Sequence, residues 1–257
     1  MFVLTGEGIE CEKEAERFFK ISGAFLEVQR LPLAQLFASP RLLSQMAKSG
    51  DWIFFPGGFS FADHFGSGRL LAFKLREIGF FEECLSLGLH ILGICNGFQV
   101  LVRSGLFGEE LSLLPNQAAV SGNDPEKKNA SMGFVDRWVK LSGRGPELEG
   151  SEFFFPVRHA EGRLSSSTGT LPAGVEACLV YQDPYFSNGS FDNIAGIRAK
   201  RGSSWIIGLM PHPEIALRRA DEPTKPGPDY IVTFGERFYN YDGDGLRFLS
   251  ALVKGVN

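Results

Sequence analysis

The chain has 257 residues, 44% hydrophobic and 22% charged, a balance that excludes the disordered, collagen-like and coiled-coil classes. Twenty-six basic against thirty acidic side chains give a net charge of −4, with no long run of either sign to form the basic face of a nucleic-acid binder. No apolar stretch approaches the ~18 uninterrupted residues of a membrane span.

The N-terminus, MFVLTGEGIECEKE, has no basic n-region and turns acidic early, so no signal peptide and a cytoplasmic location are expected. Met1–Leu4 reads as a strand. Glu12–Ser22 sets Ala15, Phe18 and Phe19 at helical spacing behind an acidic first turn. Ala24–Val28 reads as a second strand, and Pro40–Ser49 as a helix opened by proline. Trp52–Phe55 is an apolar strand closed by the turn signal Pro56-Gly57-Gly58. Helical spacing returns from Gly68 to Ile78, then His90–Gly93 gives another buried strand ahead of a helix at Phe98–Leu101. Strand–helix alternation of this kind predicts parallel strands covered on both faces.

The second half is richer in strands, around Trp138–Leu141, Phe153–Val157, Ala177–Tyr181, Ile194–Arg198 and Trp205–Met210. Ser121–Ala130 and Arg218–Asp229 read as polar or proline-rich loops, and Gly245–Lys254 as a terminal helix. The expected fold is α/β: a single doubly wound, mostly parallel sheet flanked by helices, with a smaller β-rich part in the second half. One domain over residues 1–257 is expected, with 218–241 as an irregular insert or partner-contact loop.

Four cysteines, at 11, 84, 95 and 178, are too sparse for a disulfide scaffold and fit no zinc spacing. Cys84 and Cys178 read as core, and Cys11 as a tolerated loop residue near the active-site face. Cys95 stands apart because Gly93-Ile94-Cys95-Asn96-Gly97 follows an apolar strand and precedes a helix, the arrangement of a nucleophile elbow. Flanking glycines relieve crowding on the tight turn, and the helix N-terminus aims N–H groups at the sulfur, favouring the thiolate. A buried cysteine in a glycine-rich turn would give the same local pattern.

A nucleophilic cysteine needs a base, and the base an orienting group. Of four histidines, His90 lies inside a strand and His64 in a Phe-rich loop. His212 sits in Met210-Pro211-His212-Pro213-Glu214, where prolines hold the backbone extended and Glu214 points the same way two residues on. Cys95, His212 and Glu214 thus make a coherent triad. For the oxyanion hole of acyl chemistry the candidates are the N–H groups of Gly58, after the Trp52–Phe55 strand, and of Asn96, next to the nucleophile.

These residues resemble the class I (triad) glutamine amidotransferases, and more narrowly the glutaminase subunits of phosphoribosylformylglycinamidine synthase. The shared stretches are PGGFSFAD (56–63), GICNGFQVL (93–101), HAEGR (159–163), NGSFDNIAGI (188–197) and GLMPHPE (208–214). The resemblance implies that Cys95 attacks the side-chain amide of L-glutamine, with Gly57, Phe59, Gln99 and His159 lining the glutamine pocket. It also implies no cofactor or metal on this chain, ATP and magnesium on a large synthetase partner, a small bridging subunit, and ammonia passed to that partner. The chain lacks a G-x-x-x-x-G-K-[ST] phosphate loop, in keeping with that division. Ile215 departs from the arginine usual in the family. The alternatives are a glutaminase serving another synthetase and a silent glutaminase-fold scaffold.

Overall fold

The computed structural model describes residues 1–117, 132–182, 186–217 and 244–256; the loops read at 121–130 and 218–241 lie outside them. Its frame is built on short apolar strands. β1 (Phe2–Thr5), β3 (Trp52–Phe55) and β4 (His90–Ile94) are buried almost throughout, as expected for strands covered on both faces. Together with β2 (Gln29–Pro32) and β11 (Ser204–Leu209) they pair in parallel, in the order β2-β1-β3-β4-β11. Phe55 and Gly208 both pair with Gly93, which levels the carboxyl ends of β3, β4 and β11. Ligands bind above such ends in open α/β sheets.

The β-rich second half is continuous with this unit. Beyond β11 the same sheet runs on through β10 (Ile194–Arg201), β9 (Val175–Tyr181), β6 (Val135–Gly143) and β7 (Glu152–His159), each antiparallel to its neighbour, to nine strands in all. A separate two-stranded sheet pairs β5 (Leu111–Leu114) with β8 (Arg163–Ser166). Edge β7 ends at His159 and so brings the HAEGR segment round to the carboxyl ends of the parallel strands.

Helices cover the parallel unit through their apolar stripes. α1 (Glu12–Ser22) buries Ala15, Phe18 and Phe19 and stops at Gly23, whose φ of 63° takes the left-handed turn a side chain would resist. α4 (Arg69–Glu77) buries Leu71, Ala72 and Leu75, and α5 (Phe80–Ser86) buries Phe80, Phe81 and Cys84. α6 (Asn96–Arg103) is buried from Asn96 to Val102, and α7 (Asp244–Val256) closes the described chain. The core is rich in phenylalanine, with Phe19 and Phe54 edge to face at 4.9 Å. Phe80, Phe81, Phe153 and Phe155 are all interior.

Two elements differ from expectation. Ala24–Val28 forms no strand; β2 begins at Gln29, whose partner in the ladder is Phe2. Pro40–Ser49 forms no continuous helix. Instead α2 (Leu33–Ala38) ends ahead of Pro40, since Ser39 is held out of the helical region by the following proline, and one turn, α3 (Leu43–Met46), follows. A cleft of about 490 Å³ opens at the amino ends of β1 and β3, lined by Met1, Trp52 and Lys48. Among the described residues, its lining includes no cysteine, serine or histidine. No described helix is long and apolar enough to cross a membrane.

Candidate active site

Cys95 joins β4 to α6 with φ 54° and ψ −108°, a conformation that costs a non-glycine residue energy and marks a constrained turn. The turn is pinned from both sides: the Cys95 N–H donates to the Leu209 carbonyl at 2.7 Å, and the Cys95 carbonyl accepts from Gln99 N–H at 3.0 Å. Small neighbours make the close approach possible. A Cβ on Gly97 would overlap the Phe55 carbonyl, and one on Gly208 would overlap the Phe98 ring. The sulfur therefore stands at the N-terminus of α6, within 3.4 Å of the Arg158 carbonyl.

His212 leaves β11 on the extended Pro-flanked segment and is buried, its N–H held by the Pro156 carbonyl at 2.8 Å. Its Nδ1 lies 2.6 Å from Glu214 Oε1, and Glu214 is only 1% exposed. Burial opposes a charge on the imidazole, yet the Glu214 carboxylate, then the charge and hydrogen bonding of Cys95, raise its pKa to about 10. Nε2 is buried without another regular hydrogen-bond partner, which leaves it available to the thiol. Gly57 lies between these groups. A Cβ there would sit 2.9 Å from the His212 ring and 3.5 Å from the Cys95 Cβ, so only glycine lets the imidazole and the Cys95 thiol close on one another.

Gly58 has φ 136°, and its Cα faces the Gly8–Glu10 backbone so closely that a Cβ would meet main-chain atoms at 2.7 Å. That loop is fixed by hydrogen bonds from Glu10 N–H and Cys11 N–H to the Gly57 carbonyl and from Phe59 N–H to the Gly8 carbonyl. The Asn96 N–H is in the first turn of α6, where backbone donors have no partner within the helix.

Next to Cys95 is a pocket of about 260 Å³, lined by Gly58, Phe59, Asp63, Gln99, His159 and Glu161 among others. Phe59 is half exposed at its rim, whereas Gln99 and His159 are buried. Gln99 Nε2 donates to the Glu161 carbonyl at 2.6 Å. His159 is held neutral: burial, then the positive charge of His212, lowers its pKa to about 3. Of the predicted residues, Gly58, Phe59, Cys95, Gln99 and His159 meet at this pocket, and His212 and Glu214 close on Cys95 from behind Gly57.

Several residues of the site carry no signal in the local chemistry of the sequence. Phe61, Ala62 and Asp63 lie consecutively in the left-handed region, φ 50–54°, a run that the surroundings must impose. Asn96 imposes it: its Oδ1 accepts from Ser60 N–H at 3.1 Å and its Nδ2 donates to Asp63 Oδ1 at 3.0 Å and to Gln99 Oε1 at 2.9 Å. A second network explains the NGS motif. Asn188 donates to Asn116 Oδ1 at 3.1 Å; Asn116 in turn donates to the His159 carbonyl at 2.8 Å and accepts from Gly162 N–H at 3.2 Å. It thereby holds the HAEGR turn against the pocket. His90 is structural in its contacts: its Nδ1 accepts from Trp205 N–H at 3.0 Å and its ring packs on Trp52. Cys11 lies at the site as well, 3.2 Å from where a Cβ on Gly57 would stand. Ile215 ends the short turn after His212 and, half-buried, donates its N–H to the His212 carbonyl at 3.3 Å.

Comparison with known proteins agrees with this geometry. Residues 1–236 match the model of the CobB/CobQ-like glutamine amidotransferase domain. The phosphoribosylformylglycinamidine synthase subunit PurQ of Methanococcus maripaludis is 32% identical over 87% of this chain and 84% of its own length. That of Dehalococcoides mccartyi is 31% identical over 98% and 95%. Among solved structures, a chain of PurLQS from Thermotoga maritima superposes with a TM-score of 0.68 over 100% of this chain and 98% of its own, at 24% identity, a likeness of fold. The chain belongs to the CobB/CobQ-like glutamine amidotransferase family and, within it, groups with the PurQ subunits of phosphoribosylformylglycinamidine synthase.

Proposed function

We propose that this chain is the glutaminase subunit of phosphoribosylformylglycinamidine synthase and that Cys95, His212 and Glu214 form its catalytic triad. The observation that carries the reading is the approach of His212, oriented by Glu214 at 2.6 Å, to a cysteine forced onto a tight strand–helix turn. The raised pKa of His212 favours an imidazolium paired with a Cys95 thiolate. The thiolate adds to the side-chain carbonyl of glutamine, and the oxyanion is received by the N–H groups of Gly58 and Asn96. His212 then delivers its proton to the departing nitrogen, which leaves as ammonia while the γ-glutamyl thioester forms. Water, deprotonated by the same imidazole, attacks the thioester; glutamate leaves and the thiolate–imidazolium pair is restored.

Gly57, Phe59, Gln99 and His159 are proposed as the glutamine walls. A neutral His159 suits that place, because a second cation beside His212 would oppose the imidazolium. The ammonia serves a large synthetase subunit, which holds ATP and magnesium and amidates formylglycinamide ribonucleotide, with a small third subunit bridging the two. A glutamine-analogue electrophile tests the assignment: stoichiometric labelling mapped to Cys95 is expected, and labelling of Cys11 instead would refute it.

A further inference from the structure

We infer that Cys11, His212 and Glu214 form a binding site for a thiophilic divalent cation, zinc in the first instance, and that its occupation silences the glutaminase. One donor atom from each of these side chains lies within 4.8 Å of the others. The three types, thiolate, imidazole and carboxylate, are the ligands that zinc takes in combination. Two of them are buried to 98% or more; the Glu214 carboxylate lies on the Nδ1 side of the His212 ring, and its Oε2 has no hydrogen-bond partner. Buried polar atoms left unpaired are costly, and a cation would satisfy the carboxylate oxygen that the histidine does not. Cys11 is not fully enclosed, which leaves a route for the ion.

The backbone holds this arrangement as firmly as it holds the triad. Cys11 N–H is bonded to the Gly57 carbonyl at 3.2 Å, so the cysteine is fixed to the loop that separates His212 from Cys95. Ligation exchanges the Cys11 thiol proton, and the proton shared by His212 and Glu214, for the metal; both protons go to solvent and no bond to carbon changes. With zinc on Nδ1 in place of the shared proton, His212 can no longer form the imidazolium, supported by Glu214, that pairs with Cys95 and supplies the proton to ammonia. The site itself is independent of the catalytic reading; the inhibition rests on it.

Equilibrium dialysis of the full chain against zinc, with cobalt as a spectroscopic probe, separates the two. About one zinc per chain and a thiolate-to-cobalt charge-transfer band are expected, and both are retained in Cys95→Ala. Cys11→Ala and Cys11→Ser weaken zinc binding at least about tenfold, the lower end of the cost of losing even an outer partner. Without metal, both Cys11 variants hydrolyse glutamine in the complex with the synthetase subunit, which shows them folded, and they resist zinc. Zinc affinity unchanged in Cys11→Ala, or lost in Cys95→Ala while kept in Cys11→Ala, overturns the site. Zinc bound through Cys11 without loss of glutaminase overturns the inhibition alone.

Discussion

At the scale of the residue, the proposed chemistry turns on the charge of one imidazole. His212 is buried, so its protonation is decided by desolvation against the Glu214 carboxylate and Cys95, and the charges win. Glu214→Gln keeps the shape and removes the charge. The His212 pKa should then fall from about 10, and glutamine hydrolysis should drop roughly 10²–10⁴-fold, the usual worth of a positioned proton carrier. The pH profile of Cys95 alkylation reads the shift directly; an unchanged profile would remove Glu214 from the triad. The same group is linked to stability. Its folded pKa lies above the free value of 6.5, so its contribution is complete below pH 6.5 and is lost as pH rises through about 10. Glu214→Gln should flatten the denaturation midpoint across that window.

At the scale of the element, the catalytic turn works because neighbouring segments leave no room for side chains. Gly97→Ala would drive a methyl into the Phe55 carbonyl and separate α6 from β3. A loss of about 1–3 kcal/mol, typical of overpacking, is expected in chemical denaturation. Asn96 acts on a different element. Its side chain holds Ser60–Asp63, with its three left-handed residues, beside the pocket. Asn96→Ala keeps the N–H proposed for the oxyanion but leaves Ser60 N–H unpaired in the interior, at a cost of about 1–3 kcal/mol. The expected kinetic result is a rise in KM exceeding the fall in kcat, because the loop is a wall of the pocket; a fall in kcat with KM unchanged would place Asn96 in the chemistry alone. Much of this level was legible. The glycines and prolines around Cys95 and His212 announce their turns because special backbone geometry restricts residue type. The pairings of Asn96 with Asp63 and of Asn188 with Asn116 were not legible, since hydrogen bonds between residues 33 and 72 apart leave no local pattern.

For the whole molecule, the question is how one sheet serves both a parallel and an antiparallel half. Alternation of strand and helix predicts the first half correctly, because parallel pairing needs crossovers that are written in the sequence. The joining of the second half to the same sheet is not so written: apolar alternation gives strands without naming their partners. The antiparallel half matters to the site because β7 carries His159 and the Arg158 carbonyl to Cys95. Its packing includes the nearly buried Arg198, paired with Glu147 and with Glu176 at 3.4 Å and lying 5.2 Å above the Trp205 ring. Arg198→Ala should destabilise the fold by about 3–5 kcal/mol, the cost of leaving a buried carboxylate unpaired, as urea denaturation would show. The terminal helix braces the site as well. Gly245 N–H donates to the Ala216 carbonyl at 3.1 Å, and Asp244 Oδ2 accepts from Phe154 N–H at 2.8 Å. α7 thus ties the turn after His212 to β7. Asp244→Ala should loosen that tie and lower glutamine hydrolysis with the triad intact; wild-type rates would show that the brace is dispensable.

The assignment of Cys95 as the nucleophile of a glutaminase feeding a synthetase is tested most directly in the reconstituted complex. Amidine formation from formylglycinamide ribonucleotide is measured with glutamine and with ammonium as nitrogen source, for wild type and Cys95→Ala. Loss of the glutamine-dependent rate with an unchanged ammonium-dependent rate is the predicted result. Full glutamine-dependent synthesis by Cys95→Ala would contradict the account.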